Sequence, residues 1–179
     1  ATKLLAEKMF LAARVYSDRT QFVVVRYGNV VGSRGSVFEL WREAAATGRT
    51  PIITNPEATR FWLTAKDAVG VVGIVVASEG AGRLFIPQAT SSSLLVALHA
   101  AVDRPTHITT GSLGRGEKVH EVLMTHEESS RAVALPWGWE VFQDEPPDVG
   151  RVTQPFVYTS DTNPDRIYTP EALRSKLHL

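Results

Sequence analysis

The sequence predicts an α/β fold with parallel pairing in at least part of its sheet. Three observations carry this. Short β-branched runs alternate along the chain with segments of helical periodicity. Phe22-Val23-Val24-Val25 is continuously apolar, as a strand covered on both faces reads. That run passes into a glycine-rich segment, Tyr27 to Gly35, the kind of loop that follows the carboxyl end of a parallel strand.

The elements follow in order. Residues 1–16 read as an amphipathic helix with Leu4, Leu5, Leu11, Ala12 and Val15 on one face and Lys8 as its polar interruption. No capping residue precedes it, so the helix is expected to begin upstream of Ala1. After the strand at 22–26 and the loop at 28–35, Ser36-Val37-Phe38-Glu39 has capping-box spacing. The helix it opens carries Val37, Leu40, Trp41 and Ala44 and stops at Gly48. Pro51 to Thr54 is a strand ended by Asn55-Pro56. Thr64 and Asp67 start a helix through Val69, Val72 and Val76 to the loop at Gly80–Gly82. Leu84 to Ile86 is a strand, and Ser91–Ser93 cap a helix from Leu94 to Val102. His107 to Thr110 is a strand, and Glu117 to Ser129 is expected to be helical. A strand or two and an irregular stretch follow, and Thr169-Pro170-Glu171 starts a final short helix.

Composition removes several functions. Lys and Arg total 19 against 19 Asp and Glu, which argues against a nucleic-acid or anionic-membrane partner. With no Cys there is no thiol nucleophile and no Cys-based metal site. The longest apolar run, Val69 to Ala77, is far short of a membrane span, and a cytoplasmic protein is expected. His120-Glu121 fails as a zinc-protease motif because position 124 is Met. Ser33 and Ser36 lack the flanking glycines of a nucleophile elbow. No phosphate-binding Walker sequence is present, and Gly28, Gly32 and Gly35 lack dinucleotide-fingerprint spacing.

Several segments together resemble one family. Ala1-Thr2-Lys3-Leu4-Leu5-Ala6-Glu7-Lys8 is similar to the end of the YGATKLLAEK helix of extended short-chain dehydrogenase/reductases. The segment from Arg26 to Val37 reads RYGNVVGSRGSV, as in UDP-N-acetylglucosamine 4,6-dehydratases. Thr59 to Thr64 resembles that group's TRFW(I/M)T, and Gly116 to Glu121 resembles GEKLHE. The tail, Ser160-Asp161-Thr162-Asn163 with Thr169 to Arg174, resembles SDTN…T(P/V)EELR. The matches keep the family's order over almost the whole chain.

The resemblance implies the C-terminal portion of a Rossmann-type enzyme, an incomplete parallel sheet plus a small substrate-binding subdomain. It implies a division into 1–135, the end of the Rossmann-type domain interleaved with the nucleotide-sugar subdomain, and 136–179, a C-terminal extension. The reaction implied is dehydration of UDP-N-acetylglucosamine to a UDP-4-keto-6-deoxy sugar, for polysaccharide or glycan synthesis. The cofactor implied is NADP or NAD, and the complete enzyme is expected to be a homo-oligomer. Epimerase or reductase chemistry on another nucleotide-sugar, and a non-catalytic UDP-sugar-binding fragment, stay open. The cofactor fingerprint and the catalytic Tyr, four residues before Lys3, are expected upstream, so the isolated chain is expected to be inactive.

Residue by residue, the resemblance makes Lys3 the catalytic Lys, which lowers the Tyr pKa and bonds the nicotinamide ribose. It assigns Tyr27, Gly28 and Val30, with Lys3, to the cofactor. It assigns Asn29, Arg34, Ser36, Val37, Phe38, Arg60 and Glu117 to the substrate, with Arg60 pairing the UDP pyrophosphate. A capped helix accounts for Ser36 without any ligand. The family's RPGEK departs here, since Gly114 and Arg115 occupy its Arg and Pro positions. Asn29, Arg60 and Glu117 are expected to line one cleft.

Overall fold

The computed structural model describes residues 2–17, 19–78, 83–102 and 107–179. In chain order, α1 is Thr2–Ala12 with a 3-10 turn at Ala13–Tyr16, β1 is Val23–Val25, β2 is Asn29–Val30 and α2 is Val37–Ala46. Then come β3 at Ile52–Ile53, β4 at Thr59–Leu63, α3 at Ala65–Ala77, β5 at Arg83–Pro87 and β6 at Thr90–Ser93. Next are α4 at Leu94–Ala101, β7 at Thr109–Thr110, β8 at Val122–Met124 and α5 at His126–Ser130. The chain closes with β9 at Ala132–Leu135, β10 at Gly138–Val141, β11 at Tyr158–Thr159 and α6 at Pro170–Leu177. These elements form two compact units. The first comprises residues 1–27, 69–88 and 123–158, and the second residues 28–68, 89–122 and 159–179.

In the first unit the strand order is β1-β5-β10-β9. β1 and β5 pair in parallel, with Val24 opposite Leu84, and β10 pairs antiparallel to β5 and β9. The expected alternation of strand and helix with parallel pairing is thus present. β1 is only half-buried, however, because among the described residues it stands at the end of the sheet with one neighbour. The apolar face of α1 also departs from expectation. Leu11 is buried, whereas Leu4, Leu5 and Val15 are more than half exposed. An eleven-residue helix is about 16 Å long, and a three-residue strand spans only about 10 Å. The helix is therefore longer than the strand it packs on.

Arg26, the residue after β1, is held by two carboxylates. Its Nε and Nη2 donate to Glu7 at 2.9 and 2.6 Å, and Nη1 and Nη2 donate to Glu128 at 2.9 and 2.8 Å. Nη1 also donates to the Leu123 carbonyl at 2.7 Å. Burial disfavours the guanidinium charge, but the two carboxylates favour it more, so its pKa is raised.

The second unit packs α2, α4 and α6 over the sheet β2-β4-β6. β2 and β4 are parallel, with Asn29 opposite Trp62, and β4 and β6 are antiparallel. All five residues of β4 are buried. The core holds Phe38, Trp41, Ile53, Trp62, Leu98, Leu173 and Leu177. Phe38 meets Trp62 edge to face at 5.1 Å, and the Trp62 indole N–H donates to Ser92 Oγ at 2.8 Å.

Three readings of the sequence are corrected here, and one strand is added to them. Thr59 to Leu63 is a strand, unmarked by alternation because both of its faces are covered. Thr90 to Ser93 is a strand that ends in a cap, since only Ser93 bonds the helix, accepting from Val96 N. Residues 117–129 are not one helix. Gly114 to Glu117 closes a turn, 122–124 is a strand, and helix begins only where Thr125 and Glu128 form a reciprocal capping box. In α2 the inward face is Phe38 and Trp41, with Leu40 exposed. The Gly80–Gly82 loop and Ala1 lie outside the described residues.

Two measurements test this account. Glu128 is raised by its burial but lowered more by the Arg26 and Thr125 hydrogen bonds, so it lies below its ordinary value of 4.5. A carboxyl depressed on folding contributes stability above its unfolded pKa, and that contribution is lost as pH falls through the folded value. Melts of wild type and Glu128→Gln are expected to differ near neutrality and to converge in acid below the carboxylate range. A gap that is constant with pH rules out the charged contribution. Gly28 lies under β4, where an added Cβ would sit 2.5 Å from Phe61 Cβ and 2.7 Å from its carbonyl oxygen. Gly28→Ala is expected to cost about 1–3 kcal/mol, read as a lower Tm. An unchanged Tm would show that the strands separate easily.

Candidate functional site

Two adjoining cavities lie in the second unit, and Asn29, Val37 and Trp62 line both. The first, about 230 Å³, is formed by the glycine-rich segment and the start of α2: Asn29, Val30, Ser33 to Phe38, and Trp62. The second, about 180 Å³, is lined by Asn29, Val37, Trp41, Ile52, Ile53, Thr54, Arg60, Trp62, Leu94 and Glu117. Together they fall within the range of roughly 300–1,000 Å³ usual for small-molecule sites.

The first cavity owes its shape to turns. Gly32 and Gly35 adopt φ of 76° and 73°, the left-handed region that glycine enters without strain. They fold the chain back between β2 and α2. The expected loop at 28–35 is therefore shorter, because Asn29 and Val30 already belong to a strand. Ser36 caps α2, its Oγ accepting from Glu39 N, while the Glu39 carboxylate accepts from Gly35 N at 2.8 Å. The first-turn N–H groups of Val37 and Phe38 have no partner inside the helix, which gives this end a partial positive charge. Arg34 is exposed at the rim, Val37 is partly buried, and Phe38 is fully buried. Phe38 therefore forms the floor and anchors the wall.

The second cavity is built on β4. Arg60 is 8% exposed and belongs to the core as much as to the site. Its Nη1 donates to the carbonyls of Thr59 and Val119 at 2.8 and 3.1 Å, and Nη2 donates to Glu117 at 3.3 Å. Its Nε faces Glu121 at 3.7 Å. The 114–121 segment is fixed to the strand edge, because the same Val119 carbonyl accepts from Thr59 N at 2.9 Å. Behind it, Thr59 Oγ1 contacts His120 Nδ1 at 2.9 Å and Ser160 Oγ at 2.6 Å. Glu117 accepts from Thr54 Oγ1 at 2.7 Å and from Gly114 N at 3.1 Å. The Thr54 hydroxyl, opposed by partial burial and aided by the Gly114 N–H and Arg60, holds this carboxyl below its usual range.

Asn29, Arg60 and Glu117 thus line one cavity, although three separate segments supply them. Sequence reasoning missed Thr54. Its bond to Glu117 spans 63 residues, and no local signal distinguishes it from the end of a strand. Arg115 is exposed on the Gly114–Glu117 turn. Lys3 and Tyr27 belong to the first unit, Lys3 exposed on the first turn of α1. The contact of Gly28 with Phe61 accounts for that glycine without a cofactor. Among the described residues no cluster of His, Asp and Glu has metal-binding geometry, and no helix is long and apolar enough to cross a membrane.

Comparison with known proteins follows the same lines. UDP-N-acetylglucosamine 4,6-dehydratase (inverting) of Campylobacter jejuni strain 81-176 is 32% identical over 185 residues, covering 92% of this chain and 54% of that protein. UDP-glucose 4-epimerase of Rickettsia bellii is 34% identical over 139 residues, covering 75% of this chain and 41% of that protein. The crystal structure of Pen from Bacillus thuringiensis superposes with a TM-score of 0.85 at 30% identity, over 99% of this chain and 55% of that one. The chain therefore spans about half the length of the proteins it matches. The model of the family described as polysaccharide biosynthesis protein matches residues 1–139, and the chain belongs to that family.

Proposed function

We propose that the intact protein is a nucleotide-sugar 4,6-dehydratase acting on UDP-N-acetylglucosamine, in the cytoplasm, with NAD or NADP as cofactor. The observation that carries this reading is the pair of adjoining cavities, to which residues of three separately matched segments contribute: Asn29 to Val37, Arg60 with Trp62, and Glu117. The 32% identity to a protein named for that reaction supports it.

In this reading the sugar nucleotide lies across both cavities. The diphosphate rests at the N-terminal end of α2, where unpartnered N–H groups and Arg34 meet phosphate oxygens. Asn29, on the shared wall, orients the ligand through its amide. The cavity around Thr54 and Glu117 takes an uncharged, hydroxyl-bearing part. The residues toward the cofactor are Lys3, Tyr27, Gly28 and Val30. Of these, Lys3 has the chemistry the role needs: an exposed ammonium that can bond ribose hydroxyls and lower the pKa of a neighbouring phenol. The nicotinamide, when bound, takes up and returns a hydride. A second reading, C4 epimerisation of a UDP-sugar, is favoured by the 34% identity to a UDP-glucose 4-epimerase.

The test is incubation of the intact protein with UDP-N-acetylglucosamine and NAD or NADP, with products analysed by mass and NMR. A 4-keto-6-deoxy product, lighter by one water, is expected. An isobaric C4 epimer supports the second reading, and ligand binding with no product refutes both. The 179-residue chain alone is expected to give no turnover, because it carries Lys3 but no dinucleotide fingerprint. Product from the isolated chain, at verified mass, overturns that expectation.

A further inference from the structure

Lys3 and Glu7 lie one turn apart on α1, so their side chains leave the same helix face. An ammonium and a carboxylate at this spacing ordinarily attract each other. Glu7 is the one acid of α1, so it is the only carboxylate that this helix can offer Lys3. The structure sends the two side chains to different places. Lys3 is exposed, whereas the Glu7 side chain is 10% exposed. Both Glu7 oxygens accept from Arg26, Oε2 from Nε at 2.9 Å and Oε1 from Nη2 at 2.6 Å. Two parallel bonds of this kind fix a carboxylate in orientation as well as in place.

Arg26 is in turn held from its other side. Nη1 and Nη2 donate to Glu128, and Nη1 donates to the Leu123 carbonyl. Glu128 is itself pinned, accepting from Thr125 N at 2.9 Å. The guanidinium therefore cannot follow Glu7 back to the helix surface without breaking these bonds. Bidentate, charge-assisted bonds at a partly buried site are stronger than an exposed ion pair one turn apart on a helix, so Glu7 stays with Arg26. All of these groups belong to the first unit.

The consequence falls on Lys3. Its ammonium reaches solvent with its helical counter-ion withdrawn and neutralised. An ammonium kept free in this way can donate to ribose hydroxyls and favour a phenolate beside it. One held in an ion pair directs a donor, and part of its field, at the carboxylate instead.

We propose that Arg26 is a positioning residue for the reaction that acts through Glu7, drawing the Glu7 carboxylate into a bidentate pair and so leaving the Lys3 ammonium free for the cofactor and a neighbouring phenol. This rests on the reading that Lys3 serves a nicotinamide-dependent reaction of a nucleotide-sugar. It gives Arg26 a role beyond tying α1 to the end of β1.

The first readout needs no turnover. The intact protein is acetylated with acetic anhydride at constant pH, and the rate at Lys3 is read by mass spectrometry against the rate at Lys8. Lys8 is exposed on the same helix and has no acid three or four residues away within it, which makes it the reference. Wild type, Arg26→Met and the Arg26→Met/Glu7→Gln double variant are compared, each checked for folding by its Tm. In Arg26→Met the released Glu7 is expected to turn to Lys3 and slow its acetylation about two- to fivefold, the strength of an exposed ion pair. In the double variant no carboxylate is left on α1, and the wild-type rate is expected to return. A merely structural role does not give that recovery, since the second substitution removes one more native contact. If Arg26→Met does not fold, because Glu7 and Glu128 are left without their cation, the same comparison is made with Glu128→Gln added to both variants.

The second readout is kinetic, on the intact protein with UDP-N-acetylglucosamine and NAD or NADP. In Arg26→Met, kcat is expected to fall by the same factor as the acetylation rate, with KM for the sugar nucleotide unchanged, and to recover in the double variant. Lys3 acetylated at the wild-type rate in a folded Arg26→Met overturns the proposal. Slowed acetylation that Glu7→Gln does not restore also overturns it, and makes Arg26 a brace of α1 alone. Restored acetylation with kcat unmoved throughout removes Arg26 from the reaction. Wild-type protein without turnover refutes the functional reading itself, and the acetylation series then still decides whether Arg26 withholds Glu7 from Lys3.

Discussion

A guanidinium buried in the middle of a strand has to be neutralised and hydrogen-bonded by the protein around it, because an unpaired buried charge costs several kcal/mol. In the second unit this requirement falls on Arg60, in a strand whose five residues are all buried. The carbonyls of Thr59 and Val119 and the carboxylates of Glu117 and Glu121 meet it. Much of the local architecture follows. The 114–121 segment cannot be helical, because Val119 must turn its carbonyl to the strand edge and Glu117 must reach back to Nη2. Ser160 then closes the far side, accepting from Glu121 N and donating to the Thr59 carbonyl.

The first unit solves the same problem with Arg26. Glu7 from α1 and Glu128 from α5 engage its guanidinium, and the three side chains are 20%, 10% and 14% exposed. The capping box at Thr125 does double duty, since Glu128 both accepts from Thr125 N and pairs with Arg26. The difference between the units lies in what remains over. Arg26 has five charge-assisted or carbonyl bonds, which tie α1 and the segment 123–128 to the end of β1. Arg60 and one of its partners, Glu117, line a cavity, so this network also forms part of a cavity wall.

Local signals in the sequence located the elements that depend on local chemistry. Ser36 with Glu39, Thr169 with Pro170, and Ser93 before Leu94 each marked a helix start, because a cap bonds within three residues. Strands satisfied at long range were harder to read. β4 has no alternation, since both faces are covered, and β6 is a run of Ser and Thr whose hydroxyls are bonded to Trp62, Ser160 and Asp165. The helix expected over 117–129 failed for the same reason: nothing local shows that Val119 is claimed by Thr59, sixty residues earlier. At the site, Asn29, Arg60 and Glu117 were legible only through motifs, and Thr54 not at all, because its significance lies in its partner.

The charge distribution bears on how the two cavities divide a ligand. The α2 end offers N–H groups and Arg34, but Glu39 already draws on Gly35 N, so its positive character is concentrated at Val37 and Phe38. The other cavity contains one cation, and that cation is balanced by two carboxylates. The function proposed above puts the anionic part of a sugar nucleotide at the helix end and an uncharged, hydroxyl-bearing part in the cavity around Thr54 and Glu117. Gly114 fits this division. A Cβ there would sit 3.7 Å from Glu117 Oε2, so a side chain is sterically admissible. What this position supplies instead is its backbone N–H, which holds Glu117 without adding a second cation beside it. With a glycine at that position, the orientation of Glu117 rests on Thr54, the Gly114 N–H and Arg60, and only Arg60 contributes charge.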